Sequence, residues 1–545
     1  MASPKIIVTF VPGSCSLEVT PGLTVLEAAR LAGVNLPAPC GGSGRCGKCL
    51  VKMTPGPDQQ TPQYVPACQT TITRSVQIEL PADPLIILEQ AQAPREELAP
   101  AVYWKDGVLK HRAGLKLEGA ATRGRLLGLA VDLGTTTMVG YLYDLTGGLR
   151  LATAAGVNGQ LTYGADVLSR LAHALQGEAA YRQLRQALSH SLDQLILNCS
   201  RLAQVQCGDI KEIVIVGNTA MIHLLLNLPV RGLAVAPFQP AAGGPWYCHA
   251  GDLGLTAAAE AVCYLPPLIG GFVGSDALAA ALAQGFDRPS NETGMVVDIG
   301  TNGEILLQNG PLLLAASVPA GPAFEGGNIQ CGMPATRGAV CQVTMDYDVR
   351  LQVIGDTKPI GLCGSGLVDA VAEMLRLRLL DRSGRLVEVK EVPPVVSFKI
   401  KQKLQPAGQN KRFLLADNVF LDQRDIRQVQ LAKAAVAAGI KAVLAEAGLT
   451  PRQLDVMWLA GGFGNYLNPS NALRIGLLGE PEPGRIRQVG NAAGAGACQM
   501  LLSYAAREKA VSLSQRFKHL ELAARQGYQE FFMQELNFPA HEYGS

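Results

Sequence analysis

The stretch Leu127-Gly-Leu-Ala-Val-Asp132-Leu-Gly134-Thr135-Thr136-Thr137 reads as a buried strand that runs into an acidic residue, a glycine turn and a row of hydroxyls. One such stretch is weak evidence, because strands often end in Asp-x-Gly for turn reasons alone. The same grammar returns in Met295-Val-Val-Asp298-Ile-Gly300-Thr301-Asn302-Gly303-Glu304-Ile305. Two copies imply two related halves that face each other. Each offers a hairpin whose N–H groups cradle phosphate, and the carboxylates of Asp132 and Asp298 suit Mg²⁺ held through water. A third element, Val456-Met-Trp458-Leu-Ala460-Gly461-Gly462-Phe463-Gly464, is an apolar strand that ends in glycines. Side chains there would keep a flat purine and ribose off the backbone. Val489-Gly490-Asn491-Ala492-Ala493-Gly494-Ala495-Gly496-Ala497 reads as a small-residue helix, suited to close packing between two lobes. A Walker A loop and a kinase glycine-rich loop, the competing nucleotide signatures, are both absent.

Upstream, four cysteines are grouped. Cys40-Gly-Gly-Ser-Gly-Arg-Cys46-Gly-Lys-Cys49 is followed by Cys68. Four thiolates are what a [2Fe–2S] cluster needs, and the intervening glycines let a loop wrap an inorganic core. Structural zinc is the competing reading, but zinc ribbons place two C-x-x-C pairs on separate knuckles, and only Cys46 and Cys49 form such a pair here. The surroundings are strand-like at 5–10 and 15–20, joined through Pro12, Gly13 and Ser14. A helix follows, with Thr24 as cap, Glu27 completing a capping box and Gly33 as its stop. A strand from Val76 to Leu80 ends at Pro81, which completes a ββαβ pattern. The stretch resembles the β-grasp ferredoxins, with a shorter final gap.

Composition narrows the class. Hydrophobic residues make up 48% of the 545 and charged residues 17%, so large buried cores are expected and disorder is excluded. Net charge is +2, which argues against a general nucleic-acid or anionic-membrane binder. No apolar run reaches a bilayer-spanning length, and Met1 to Phe10 lacks a signal-peptide pattern, so a cytoplasmic protein is expected. Thirteen cysteines, an odd number, do not read as a disulfide framework. Most of the nine outside the cluster motif are expected to pack in the core.

The four nucleotide segments, in this order, resemble the acetate and sugar kinase, heat-shock chaperone and actin ATPase superfamily (ASKHA). The resemblance makes Asp132–Thr137 the first phosphate motif, Asp298–Glu304 the second, Gly461–Gly464 the adenosine motif, and Gly490–Ala497 the second connecting helix. Further segments bring the match closer: Asn158-Gly-Gln160-Leu-Thr-Tyr163-Gly164-Ala-Asp166-Val-Leu-Ser169-Arg170, Val216-Gly217-Asn218-Thr219, Ala320-Gly321-Pro322-Ala-Phe324-Glu325-Gly326-Gly327 and Gly361-Leu-Cys363-Gly364-Ser365-Gly366. With the N-terminal cysteine motif, they resemble the reductive activators of corrinoid-dependent enzymes, over nearly the whole chain.

That resemblance implies an α/β chain (α+β overall): an N-terminal β-grasp [2Fe–2S] ferredoxin domain at 1–83, a linker at 84–126, a first actin-like lobe at 127–293 and an ASKHA ATPase domain at 294–545. The two lobes are expected to be ribonuclease-H-like with ATP between them. It implies Cys40, Cys46, Cys49 and Cys68 as cluster ligands and ATP with Mg²⁺ as cosubstrates. Asp132 and Asp298 are assigned to Mg²⁺ and water. Gly134, Thr135, Thr136, Thr137, Gly300, Thr301, Asn302 and Gly303 are assigned to the phosphates. Gly461, Gly462, Phe463 and Gly464 are assigned to adenosine, and Glu304 is either a partner of the attacking water or a polar lobe contact. The implied partners are a corrinoid protein or corrinoid-dependent methyltransferase, a separate low-potential electron donor and a second copy of the chain. The implied activity is ATP-dependent transfer of one electron to Co(II), restoring Co(I). A small-molecule kinase fused to a ferredoxin, and a nucleotide-switched redox sensor, remain as alternatives.

Several residues take plainer readings. Ser365 lacks the G-x-S-x-G frame of a nucleophile elbow and reads as part of a glycine turn. His223, in an apolar helical run, reads as a hydrogen-bonded core residue, and Cys331 and Cys363 as buried. Leu520, Ala524, Tyr528, Phe531 and Phe532 fit one face of a helix within 517–539.

Overall fold

The computed structural model describes residues 5–540 except 12–14, 33, 35, 37, 39–41, 43, 45–48, 56–61, 81–96, 116, 118–124, 409 and 523–524. Cys40, Cys46, the Pro12–Ser14 turn, Gly33 and much of the connecting stretch lie outside the described residues.

The N-terminal unit is a five-stranded sheet in the order Cys15–Val19, Ile6–Val11, Val76–Glu79, Leu50–Pro55, Gln63–Pro66. The first strand pairs in parallel with Val76–Glu79, which forces the chain to cross over the sheet between them. The helix Val25–Leu31 supplies that cover, and it starts where expected. Thr24 Oγ1 accepts from the Glu27 N–H at 3.2 Å, and Glu27 Oε2 accepts from the Thr24 N–H at 2.7 Å. Val25, Leu26, Ala28 and Ala29 then pack on Val8, Phe10 and Ile78.

The two lobes repeat one plan. In the first, Leu149–Val157, Thr137–Asp144 and Leu127–Leu133 form an antiparallel meander, continued by Ile210–Gly217 and Val262–Leu265 in parallel. In the second, Leu312–Val318, Gly303–Asn309 and Gly294–Ile299 form the meander, continued by Val456–Ala460 and Ile486–Gly490 in parallel. Each lobe's leading strand is buried on both faces, which explains its unbroken apolar run. Leu127, Leu129, Val131 and Leu133 face the first lobe's own core, while Ala130 faces a central core shared with the second lobe. Met295, Val297 and Ile299 likewise face the second lobe's core, and Val296 the shared one.

Two helices of small residues fill the shared core, Ser275–Gln284 and Ala492–Leu502. A Cβ on Gly496 would lie 2.0 Å from the Ala279 carbonyl, so the two helices cross at a distance only glycine permits. Val489 and Gly490 end a strand, and the helix read from there begins at Ala492.

One further reading needs correction. The 517–539 stretch is not one helix: Phe517–Leu520 pairs in parallel with Leu313–Ala316 as an edge strand, and among the described residues the α-helix after it is Gln526–Glu535. Sheet hydrogen bonding overrides the helical spacing, which rests on few residues. Within 84–126, Val102–Lys105 and Val108–His111 form a hairpin around Asp106 and Gly107, both at positive φ. An Asp-Gly pair is the usual signal for that turn. Hydrogen bonds from the Ala99 N–H to the Leu502 carbonyl and from the Tyr504 N–H to the Ala99 carbonyl fasten the approach to this hairpin onto the C-terminal helices. The hairpin's His111 and the helix residue Arg507 meet the buried Glu212 at 3.1 and 2.7 Å.

The plainer readings fare unevenly. His223 is fully buried, with Nδ1 2.9 Å from the Thr219 carbonyl and Nε2 accepting from the Ala241 N–H. Ser365 opens the helix Gly364–Arg376 after a short strand, and Oγ donates to the Cys341 carbonyl. Cys199, Cys263, Cys363 and Cys498 are buried, whereas Cys15, Cys207, Cys248, Cys331 and Cys341 are half-buried. Cys331 packs at the margin of the second lobe's core, with Sγ 3.5 Å from the Asn418 carbonyl. The helix Gln423–Glu446 is long and apolar enough to span a bilayer, but it lies inside the second lobe's core.

Candidate functional site

The repeated plan places equivalent turns on opposite walls of one cleft of about 980 Å³ between the lobes. Asp132, Gly134, Thr135, Thr136 and Thr137 line one wall, and Asp298, Gly300, Thr301, Asn302 and Glu304 the other. Gly461, Gly462 and Phe463 line the cleft where the strand Val456–Ala460 ends. Gly303 and Gly464 do not line it: Gly303 backs onto Val318 and Val436, and Gly464 onto Leu459. Phe463 stacks on Phe324, centroids 4.9 Å apart and planes at 11°, which gives the cleft a flat apolar wall. Gly461 has φ +80°, and a Cβ there would lie 2.2 Å from Asp298 Oδ1. No side chain fits between that strand end and the carboxylate.

Six carboxyl groups line this cleft, and four of them, Asp132, Asp298, Glu304 and Asp276, bear on one another's charge. Sheet register pairs Asp298 directly with Glu304 and sets Asp132 beside Val216. The fourth, Asp276, was missed from sequence; it stands in the first turn of the helix Ser275–Gln284. Its signal was the duplication itself, because Gly274-Ser275-Asp276 precedes an Ala/Leu run that mirrors the second small-residue helix. Burial pushes the Asp132 carboxyl up to about 6, against a hydrogen bond from Asn491 Nδ2 at 2.8 Å that favours the charged form. Burial, with repulsion from Asp132, takes Asp298 to about 7. Asp276 also rises to about 7, from burial first and then from repulsion by Asp132 and Asp298. Glu304 is raised well above its ordinary value by burial and then by Asp276 and Asp298. A cleft that makes four carboxyl groups this reluctant to ionise is built to receive positive charge.

Among the described residues, no three metal-ligating side chains come together as a direct ligand set.

Two further residues join the walls. Glu325 lies in the Ala320–Gly327 segment. Its Oε2 accepts from Thr136 Oγ1 and its Oε1 from Thr301 Oγ1, each at 2.8 Å, so one carboxylate ties the two phosphate turns together. Asn491 caps the second connecting helix, accepting from the Gly494 N–H at 2.6 Å while holding Asp132.

In the N-terminal unit, Cys49 and Cys68 bring their sulfurs to 3.3 Å, and the Cys68 N–H points at Cys49 Sγ. A disulfide is about 2.05 Å long, so the two are unbonded. Two thiolates on one tetrahedral metal at about 2.3 Å stand slightly further apart than this, and the pair fits one iron of a cluster.

Residues 9–73 match the model of the 2Fe-2S iron-sulfur cluster binding domain, 127–289 that of the RACo middle region, and 292–544 that of the C-terminal, ASKHA domain of RACo. The corrinoid activation enzyme RamQ of Eubacterium limosum is 30% identical over 96% of this chain and 97% of its own. A Co(II) methylated amine-specific corrinoid protein reductase of Methanosarcina barkeri is 25% identical over 76% of this chain and 77% of its own. The solved structure of a reductive activator for corrinoid, iron-sulfur protein matches with a TM-score of 0.72 and 28% identity, over 98% of both chains. Held along nearly the full length of both sequences, the 30% identity makes this chain a member of the corrinoid activation enzyme family, with a [2Fe–2S] domain followed by an ATP-binding ASKHA domain.

Proposed function

We propose that this protein is an ATP-dependent reductive activator that delivers one electron to the Co(II) corrinoid of a partner protein and leaves it as Co(I). The observation that carries this reading is the joining, in one chain, of a one-electron carrier domain to a cleft with paired phosphate turns. The cluster, when bound, supplies a single electron near about −400 mV if it behaves as plant-type clusters do. Protein-bound Co(II) is harder to reduce, and each ~59 mV of gap costs about 1.4 kcal/mol for one electron. ATP offsets that cost only if its bound states favour different conformations of the complex with the corrinoid partner.

The chain's own residues take the following parts. Asp132 and Asp298 orient waters around Mg²⁺, with Asp276 adding negative charge. Thr135, Thr136, Thr137 and the turn Gly300–Asn302 hold phosphate, and Gly461–Phe463 admit the nucleoside. Glu304 would partner the attacking water as a carboxylate, its proton passing to solvent because a bound cation favours the ionised form. The four cysteines Cys40, Cys46, Cys49 and Cys68 hold the cluster. We further read the protein as a cytoplasmic homodimer that takes electrons from a separate low-potential donor, with domains divided near residues 83, 126 and 293.

The test is anaerobic. Reduced protein is mixed with Mg·ATP and candidate Co(II) corrinoid proteins, and the Co(I) absorption band is followed. Its growth supports the reading. Its absence with every corrinoid partner, together with phosphorylation of a small acid, moves the assignment to a kinase. Partner affinity that follows ATP without any cobalt reduction moves it to a sensor.

A further inference from the structure

The motif Asn158–Arg170 lies outside the nucleotide machinery, yet it grips the first phosphate turn from behind. Three consecutive carbonyls of that turn are its acceptors. Asn158 Nδ2 donates to Gly134 at 3.0 Å, Arg170 Nη2 to Thr135 at 2.6 Å, and the Asn158 N–H to Thr136 at 2.9 Å. In a trans peptide the N–H points opposite to the carbonyl, so these bonds turn the next three N–H groups toward the cleft. Arg170 is fully buried and spans the motif, with Nε on the Gly164 carbonyl at 3.0 Å and Nη1 on Gln160 Oε1 at 3.2 Å. Gln160, also fully buried, accepts from the Tyr163 N–H through its backbone carbonyl. The segment from 158 to 164 is therefore braced at both ends.

Its far side meets the ferredoxin domain. Arg30, in the last turn of the helix Val25–Leu31, donates to the Thr162 carbonyl and lays its guanidinium 4.8 Å from the centre of the Tyr163 ring. The same arginine borders the cysteine loop. A Cβ built on Gly42 would lie 3.6 Å from Arg30 Nη2 and 3.9 Å from Cys68 Cβ. One side chain thus lies beside the cysteine loop at Gly42 and touches the segment that shapes the phosphate turn.

We propose that Arg30 and the Asn158–Arg170 segment form a relay, through which nucleotide at the first phosphate turn controls how the ferredoxin domain docks and what its cluster experiences. The proposal deepens the activator reading and rests on it. The physical step is hydrogen-bond cooperativity. A phosphate accepting from the N–H side of a peptide makes its carbonyl a stronger acceptor, so Asn158 and Arg170 are held more firmly. A firmer 158–164 segment presents Thr162 and Tyr163 to Arg30 in one arrangement, and the docked population rises. Linkage makes the effect mutual: a docked domain strengthens nucleotide binding by the same factor. The Arg30 cation also favours the more negative, reduced cluster, so docking and reduction support each other.

The experiment uses the full chain with its cluster and compares the natural sequence with Arg30→Gln and Arg30→Lys. Two quantities are measured, the dissociation constant of a non-hydrolysable Mg·ATP analogue and the cluster midpoint potential with and without it. The natural protein is expected to shift its potential upward on binding the analogue. In Arg30→Gln that shift disappears, the basal potential becomes more negative, and nucleotide affinity falls about fivefold. Arg30→Lys, which keeps the charge but not the planar fork, recovers the basal potential and only part of the coupling. Equal nucleotide affinity in natural and Arg30→Gln protein, or a nucleotide-induced shift that survives the substitution, overturns the relay. If cobalt reduction fails in the natural protein while its potential still answers nucleotide through Arg30, the relay stands and the activator reading falls.

Discussion

Gly461→Ala separates folding from nucleotide handling in the cleft. Two costs arise at this position. An alanine at φ +80° carries left-handed strain of about 1–2 kcal/mol. Its Cβ also falls 2.2 Å from Asp298 Oδ1, so the carboxylate must retreat by about 1 Å to reach ordinary contact. The first cost is small against the about 5–15 kcal/mol that holds a domain together, so the protein folds and keeps its cluster. The second displaces the carboxylate to which the proposed function gives Mg²⁺ and water, and a misplacement of about 1 Å costs on the order of a hundredfold in rate. Strain thus governs the melting temperature, which falls by only a few degrees, while displacement governs the chemistry. The assay pairs thermal unfolding with ATP-dependent cobalt reduction. Gly527→Ala, where a new Cβ meets nothing within 4 Å, serves as the control. A Gly461→Ala protein that reduces cobalt at more than half the natural rate would refute the reasoning.

Three other outcomes follow from the geometry. Asp276 and Asp298 near 7 and Asp132 near 6 are raised above their unfolded values, so burying their charge destabilises the fold increasingly as pH climbs from 4 to about 7. Mg·ATP relieves that penalty by favouring the ionised forms; calorimetry should show more proton release on binding at pH 6 than at pH 8.5, where these three groups are already ionised. Asn491→Ala removes both a helix cap, worth about 1 kcal/mol, and the hydrogen bond to Asp132; the melting temperature should drop by several degrees and nucleotide affinity should weaken, as calorimetry would show. Cys68→Ser should lower the iron content and the visible absorbance while leaving ATP affinity in the ASKHA domain within about threefold, because the cleft draws nothing from Cys68.

The sequence was most legible where geometry leaves few choices. Asp132 and Asp298 stand at the ends of strands buried on both faces, and the turns after them need glycine and hydroxyls, so pattern and position coincide. The Thr24 and Glu27 capping box is equally local and equally visible. What escaped notice depends on distant partners. Asp276 joins the site only because two small-residue helices cross and bring its helix start to the cleft, and that crossing is set by Gly496 against Ala279. Glu325 reaches Thr136 across the lobe boundary, a contact that no spacing encodes. Phe517–Leu520 looks helical in isolation and becomes a strand because an open sheet edge at Leu313–Ala316 takes up its backbone. The 102–111 hairpin was missed for a different reason: its strands are only four residues long, and the Asp106-Gly107 turn signal was there to be read.

The central claim is that nucleotide and a single electron act together on cobalt, and a single-turnover experiment addresses it directly. Protein with its cluster reduced beforehand is mixed anaerobically with an equal amount of a Co(II) corrinoid protein, with and without Mg·ATP, while the cluster and Co(I) bands are recorded together. The account predicts that cluster absorbance returns and Co(I) appears in matched one-electron amounts, and that both depend on Mg·ATP. Co(I) formed to the same extent without nucleotide, or ATP turned over with no electron leaving the cluster, would contradict it.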